Sequence, residues 1–193
     1  MKLHIGCGTV YLDGWTNVDV KSENVFLAKN RPDLVERWKT TEDKYYAKHA
    51  DKTIDALRAG PLDQEAVCDL YGDFFSLPGD VISEVLARHS FEHLSIREAH
   101  GALVLLRTRM PRGGILRLDV PDHEETLRLL QETGDAFYVR HLLGPRRNDY
   151  GYHLMSYTPD RLKRLVEEHG FRFVEQEQNI HFFPAFCLRF ISD

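Results

Sequence analysis

The sequence predicts an α/β fold: a mostly parallel sheet with helices on both faces and an antiparallel strand closing it at the C-terminal end. Two observations predict this. Short runs of β-formers alternate along the chain with segments that carry helix-capping signals, the pattern of a parallel sheet covered on both sides. The last two apolar runs, Phe171 to Val174 and Ile180 to Phe190, follow each other without an intervening helix and suit an antiparallel pair.

The elements follow in order. Lys2 to Ile5 is a short apolar run that ends at Gly6-Cys7-Gly8, and Thr16 to Val20 is a second one, bounded by Gly14 and Lys21. From Lys21 to Glu65 the text turns to mixed charge, with nine basic and nine acidic residues, and reads as a helical insertion. Its apolar residues, among them Phe26, Leu27, Leu34, Val35 and Trp38, need a surface to cover. The insertion is therefore expected to fold over the strand ends and shape a ligand pocket or a homo-oligomer contact. Ala66 to Leu70 and Val81 to Ala87 are the next strands, the second running into Arg88-His89.

Ser95-Ile96-Arg97-Glu98 is a capping box, and a helix to about Met110 follows with Ala99, Leu103, Leu106 and Met110 on one face. Pro111-Arg112-Gly113-Gly114 breaks it. Ile115 to Val120 is a strand whose end is expected at Pro121, and Asp122-His123-Glu124-Glu125 opens a second helix. Thr158-Pro159 starts a third, with Gly170 where a left-handed residue is wanted after its end.

Composition bounds the function. A chain of 193 residues with 42% apolar and 28% charged residues suits one globular domain, residues 1–193, with no internal repeat. No apolar stretch approaches the ~20 residues that span a bilayer, and Met1-Lys2-Leu3-His4-Ile5 leaves no room for a signal peptide, so a cytoplasmic protein is expected. The net charge of -5 disfavours a nucleic acid partner, Arg146-Arg147 being only a local cluster. Cys7, Cys68 and Cys187 are odd in number and widely spaced, which suits buried small residues better than a disulfide framework or a zinc ribbon.

Ligands of parallel sheets bind beyond the carboxyl ends of the strands. Gly6-Cys7-Gly8, Asp19, Asp69, His89 and Asp122 all fall at such ends. The glycine pair lets the backbone turn tightly and approach a ligand. The third glycine of a dinucleotide motif is missing, and only eight residues separate Gly8 from Asn17, so a pyrophosphate site is disfavoured. Asp19 suits a carboxylate that accepts from vicinal ribose hydroxyls, and Asp69 one that accepts from an adenine amino group.

Leu3-His4-Ile5-Gly6-Cys7-Gly8, Gly14-Trp15-Thr16-Asn17-Val18-Asp19, Cys68-Asp69-Leu70, Phe91-Glu92-His93-Leu94, Met110-Pro111-Arg112-Gly113-Gly114 and Val120-Pro121-Asp122 together resemble the class I methyltransferases that use S-adenosylmethionine. The nearest likeness is to a compact bacterial group with a Gly-Trp loop in place of the first helix. The resemblance implies a Rossmann-like methyltransferase fold, S-adenosylmethionine as cofactor, and O- or N-methylation of a small-molecule or glycan-type acceptor. By the same resemblance Gly6, Cys7 and Gly8 line the methionine moiety, Asp19 the ribose, and Asp69 and Leu70 the adenine. Arg88 and His89 border cofactor and acceptor, and Trp15 either faces the sulfonium or packs in the core. His153 and His89 are the candidate bases for a hydroxyl or amine acceptor, since histidine titrates near neutral pH.

Two other classes compete. His89-Ser90-Phe91-Glu92-His93 fits H-x-x-E-H, the spacing of zinc peptidases that bind metal through two histidines on one helix. The run lies between a strand and the Ser95 cap, so the two imidazoles are expected to diverge and no metal is expected. A non-catalytic Rossmann-like binding module is the other alternative.

Overall fold

The computed structural model describes residues 1–7, 12, 14–18, 81–146, 151–177, 179, 181 and 183–193. Gly8, Asp19, the insertion from Lys21 to Glu65, the strand expected at Ala66 to Leu70, and with it Cys68, Asp69 and Leu70, lie outside the described residues.

Six strands form one sheet: β1 (Lys2–Ile5), β2 (Thr16–Val18), β3 (Glu84–Arg88), β4 (Ile115–Pro121), β5 (Phe171–Glu177) and β6 (Ala185–Ser192). Their spatial order is β2-β1-β3-β4-β6-β5. Pairing is parallel from β2 through β4, and β6 alone runs against both of its neighbours, β4 and β5. The fold class read from the sequence is thus the observed one.

Four α-helices are described, α1 (Ile96–Arg109), α2 (His123–Thr133), α3 (Ala136–Leu143) and α4 (Pro159–Glu167), with one 3-10 turn at Phe91–His93. Both bonds of the Ser95 capping box are present, Ser95 N–H donating to Glu98 Oε2 at 2.7 Å and Glu98 N–H to Ser95 Oγ at 3.4 Å. Asp122 caps α2 and Thr158 caps α4 as expected, each accepting from the amide three residues on. The core joins α1 through Ala99, Leu103 and Leu106 to α4 through Leu162 and Val166, over Leu3, Val85, Leu116, Leu118, Leu188 and Phe190 of the strands. Consecutive residues Leu118 to Val120 of β4 and Ala185 to Leu188 of β6 are buried, so both faces of the central sheet are covered.

Several boundaries differ from the sequence reading. The strand expected from Val81 begins at Glu84, because Ile82 and Ser83 spend their amides on Arg109 and Met1 carbonyls. Pro121 does not end β4 but is its last paired residue, opposite Ala185; the amide it lacks is replaced one position on, where Asp122 N–H donates to the Pro184 carbonyl. Helix α3 was not anticipated: Gly134, at φ +66°, stops α2, and Asp135 caps a new start by accepting from Phe137 N–H at 2.8 Å. The strand expected from Ile180 begins only at Ala185. Asn179 diverts the chain, its side chain accepting from His181 N–H and donating to the Phe183 carbonyl. Trp15 stands beside Lys2, whose ammonium lies 5.3 Å from the indole centroid, at the amino end of β1. Three residues of strand, about 10 Å, separate it from the carboxyl ends, which removes the sulfonium-facing role.

Candidate functional site

The carboxyl ends of β1 and β3 touch. Gly6, at φ +65°, turns the chain away from β1, and a Cβ placed on it would lie 2.3 Å from the Cβ of Ser90. Ser90 in turn donates from Oγ to the Ile5 carbonyl at 3.3 Å. Cys7, buried, is tied to β2 through its amide and the Val18 carbonyl. A tight, glycine-dependent turn therefore sits at the strand ends, where a ligand of a parallel sheet would lie, with Ser90 packed against the glycine.

Beyond β3 the chain is strained at His89, whose φ is +47°. Its amide donates to the Asp119 carbonyl of β4, and Arg88 Nη1 lies 3.5 Å from Asp119 Oδ2. Asp119 is buried, and His181, from the loop before β6, places Nε2 at 3.0 Å from Oδ2. The same Nε2 is 3.0 Å from Nε2 of His89. One nitrogen carries at most one proton, so while His181 donates to Asp119, His89 Nε2 can only accept.

The 3-10 turn sets Glu92 next to this pair. Its carboxylate is 2% exposed, with His89 Nδ1 at 3.5 Å, His153 Nε2 at 3.9 Å and His93 Nε2 at 4.0 Å from Oε1. The approach of His89 lacks hydrogen-bonding alignment, and neither carboxylate oxygen has a hydrogen-bond partner among the described residues. His153 is delivered by the segment 151–155, which is pinned from both sides. Leu154 and Met155 amides donate to the Glu92 carbonyl, and the His153 amide to that of Leu143 at the end of α3. Gly144, at φ +83°, allows the contact, since a Cβ there would meet the Gly151 oxygen at 2.3 Å.

Burial pushes the Glu92 carboxyl up, and the neighbouring imidazoles, His89 first, pull it back to below its ordinary value. Burial likewise pushes His153 down against the pull of Glu92, and His141, which lines the same pocket, down to about 4. The direction that holds for Glu92 and His153 is an ionised carboxylate facing a neutral imidazole. A buried imidazolium would need an acceptor within hydrogen-bond reach, and 3.9 Å is beyond it. Beside Glu92 and His153 lies a cavity of about 10 Å³, also lined by His141, His123 and Tyr157. The Tyr157 hydroxyl is buried there without a partner, and burial together with Glu92 pushes its pKa up.

The structure thus brings the two histidine candidates, His89 and His153, to one carboxylate, and keeps Gly6 and Cys7 at the neighbouring strand end. The helix begins after His93, as the sequence indicates, so the H-x-x-E-H residues do not share a helical face. The imidazoles of His89 and His93 nevertheless do not diverge: the turn aims both at Glu92. Asp119, His141 and His181 were missed. Asp119 had a signal, an acidic residue inside the apolar run Ile115 to Val120; His141 and His181 are carried in by elements the sequence did not reveal.

No protein-family model matches the chain, and no curated protein does. Solved structures do. The CcbJ methyltransferase from Streptomyces caelestis is 13% identical, with a TM-score of 0.58 over 99% of this chain and 88% of that one. The magnesium protoporphyrin IX methyltransferase from Synechocystis, with SAH bound, is 14% identical, with a TM-score of 0.56 over 100% and 74%. The fold is that of the methyltransferases. A glycopeptide N-methyltransferase, MtfA, in complex with S-adenosyl-L-methionine shares it at 12% identity and a TM-score of 0.52, over 99% and 80%. At these identities the likeness is one of fold, and the site has to be argued from this chain's own residues.

Proposed function

We propose that this chain is an S-adenosylmethionine-dependent methyltransferase acting on a hydroxyl or amine of a small-molecule or glycan-type acceptor. What carries the reading is placement. In a sheet with the methyltransferase strand order and a single reversed strand, the tight Gly6 turn and the ionisable cluster stand side by side at the carboxyl ends of β1, β3 and β4.

Gly6 and Cys7, with Gly8, would hold the methionine part of the cofactor, Asp19 the ribose, and Asp69 and Leu70 the adenine. Arg88 and His89 stand between that side and the acceptor. When bound, the cofactor supplies a methyl group on a sulfonium, an excellent leaving group. The chain's task is then to align an acceptor atom with that methyl and to receive the acceptor's proton. His89 and His153 are the candidates for the proton, two imidazoles gathered at one carboxylate.

Calorimetry of the full chain with S-adenosylmethionine and S-adenosylhomocysteine tests the reading, followed by labelled-methyl transfer to sugars and phenols. Both cofactor forms should bind. Asp19→Ala should weaken binding by roughly 10- to 150-fold, the equivalent of about 1.5–3 kcal/mol for hydrogen bonds to a charged acceptor. A folded parent chain that binds neither form would overturn the proposal.

A further inference from the structure

Around Glu92 Oε1 stand the Nε2 atoms of His93 and His153, with His89 Nδ1 on a third side at 3.5 Å. His93 Nδ1 lies 2.9 Å from the Tyr152 carbonyl oxygen, which can only accept, so the proton of the neutral ring sits on Nδ1 and Nε2 carries a lone pair. His153 presents its own Nε2 to the same carboxylate from the segment pinned at Glu92 and Leu143. Both Nε2 atoms point at Glu92 Oε1, from 4.0 and 3.9 Å, and neither oxygen of this fully buried carboxylate has a hydrogen-bond partner. His89 Nδ1 turns toward the carboxylate from the other side, at 3.5 Å and without alignment, and leaves the space between Glu92, His93 and His153 unfilled.

The spacing suits a metal ion. All three ligand atoms lie within 4.8 Å of one another. A point shared by them is about 2.2–2.5 Å from each, so a closure of a few tenths of an ångström reaches the ~2.0–2.2 Å of zinc bonds to nitrogen and carboxylate oxygen. The bond from His93 Nδ1 to the Tyr152 carbonyl is an outer-shell bond of the kind that fixes a ligating histidine. The cavity of about 10 Å³ beside Glu92 and His153 has room for one water, with the unpartnered Tyr157 hydroxyl in its wall.

We propose that Glu92, His93 and His153 bind one divalent transition-metal ion of the zinc type, with a fourth position open toward the cavity. Two imidazoles and one carboxylate select such an ion over magnesium or calcium, which prefer all-oxygen sites. Six of the chain's ten histidines, at positions 89, 93, 123, 141, 153 and 181, gather in this region. The site is not the H-x-x-E-H arrangement, because Glu92 is a ligand here and His89 stands behind it. The ion itself rests on geometry alone. Together with the methyltransferase reading it places a Lewis acid on the acceptor side, takes His153 out of the base role and leaves that role to His89.

The test is calorimetry of the chelator-treated full chain with zinc and with cobalt(II), without cofactor, so that its outcome is independent of S-adenosylmethionine binding. One equivalent should bind. His93→Ala, His153→Ala and Glu92→Gln should each weaken it at least ~100-fold, and His181→Ala less than ~3-fold. Circular dichroism checks that each variant folds. Where one does not, the cobalt-loaded parent chain decides: two paramagnetically shifted, exchangeable imidazole N–H resonances are expected. Absence of binding to the folded parent would overturn the proposal and assign the cavity to water alone. Binding that survives His93→Ala and His153→Ala but is lost in His181→Ala would also overturn it, by moving the ion to His89, Asp119 and His181.

Discussion

Replacing Gly6 by alanine tests the contact between the ends of β1 and β3 on which the site is built. Two costs add. A residue with a Cβ held at φ +65° gives up about 1–2 kcal/mol relative to glycine. The new methyl would also stand 2.3 Å from Ser90 Cβ and 2.9 Å from Oγ. Neither obstacle is the far end of a flexible side chain, so the turn after β3 has to shift, an overpacking cost of about 1–3 kcal/mol. Urea unfolding of the full chain should therefore show Gly6→Ala less stable by about 2–5 kcal/mol. Combining it with Ser90→Gly should return the clash share and leave the backbone share. The single Ser90→Gly variant is measured beside it, because it forfeits the bond to the Ile5 carbonyl. A Gly6→Ala protein within about 0.5 kcal/mol of the parent would refute the close approach, and with it the reason for a glycine there.

Three further outcomes are expected. Burial pushes the Glu84 carboxyl up, but hydrogen bonds from Lys2 and Arg117 outweigh it and hold it below its ordinary value of 4.5. Its contribution is thus complete above that value and fades as pH falls through the folded one, so Glu84→Gln should cost about 0.5–1 kcal/mol at pH 7, Lys2 being half exposed, and almost nothing at strongly acid pH. A cost that stays constant from pH 7 downward in urea titrations would refute this. Ser95→Ala should lower stability by about 1 kcal/mol through the N-cap of α1, read as an earlier thermal transition by circular dichroism; an unshifted midpoint counts against the capping box. Once an acceptor is known, His89→Ala should lose at least ~30-fold in kcat while still binding cofactor, and equal kcat would remove His89 as the base.

The sequence made local devices legible and long-range placements much less so. The Ser95 box, the Asp122 and Thr158 caps and the left-handed Gly170 are written in neighbouring residues, and each stands where it was read. The alternation of strands and helices fixed the sheet's class, because a parallel sheet needs crossovers and leaves few other arrangements. The strand read from Ile180 starts late because the bonds of Asn179 to His181 and Phe183 depend on side-chain geometry that periodicity does not carry. The convergence of His89 and His93 on Glu92 was misread for a related reason. A 3-10 turn, with three residues per turn, swings side chains differently from both the strand and the α-helix that the text around it suggests. His153 was named from a loop, yet what makes it part of the site is the pinning of segment 151–155 to Glu92 and Leu143, sixty-odd and ten residues away in sequence.

Two arrays of ionisable groups stand out among the described residues, and the contrast between them argues for function at one of them. Across β1, β3, β4, β6 and β5, Lys2 meets Glu84 at 2.9 Å, Arg117 bridges Glu84 and Glu177, and Arg189 joins Glu175 and Glu177. Those charges keep some exposure to water and alternate in sign, the arrangement expected where charges only have to be carried at little cost. At the carboxyl ends the opposite holds. Asp119, Glu92 and His181 are buried, His89 is strained, and the donors around Glu92 stand 3.5–4.0 Å off rather than in hydrogen-bond contact. Buried groups left in that state lower stability, and apolar residues of similar volume commonly serve a fold as well or better. The core from α1 through β4 to α4 is closed without any of them. An ion of the proposed kind would offset that loss at Glu92, and a water or ligand in the cavity would pair with the Tyr157 hydroxyl, which has no partner among the described residues.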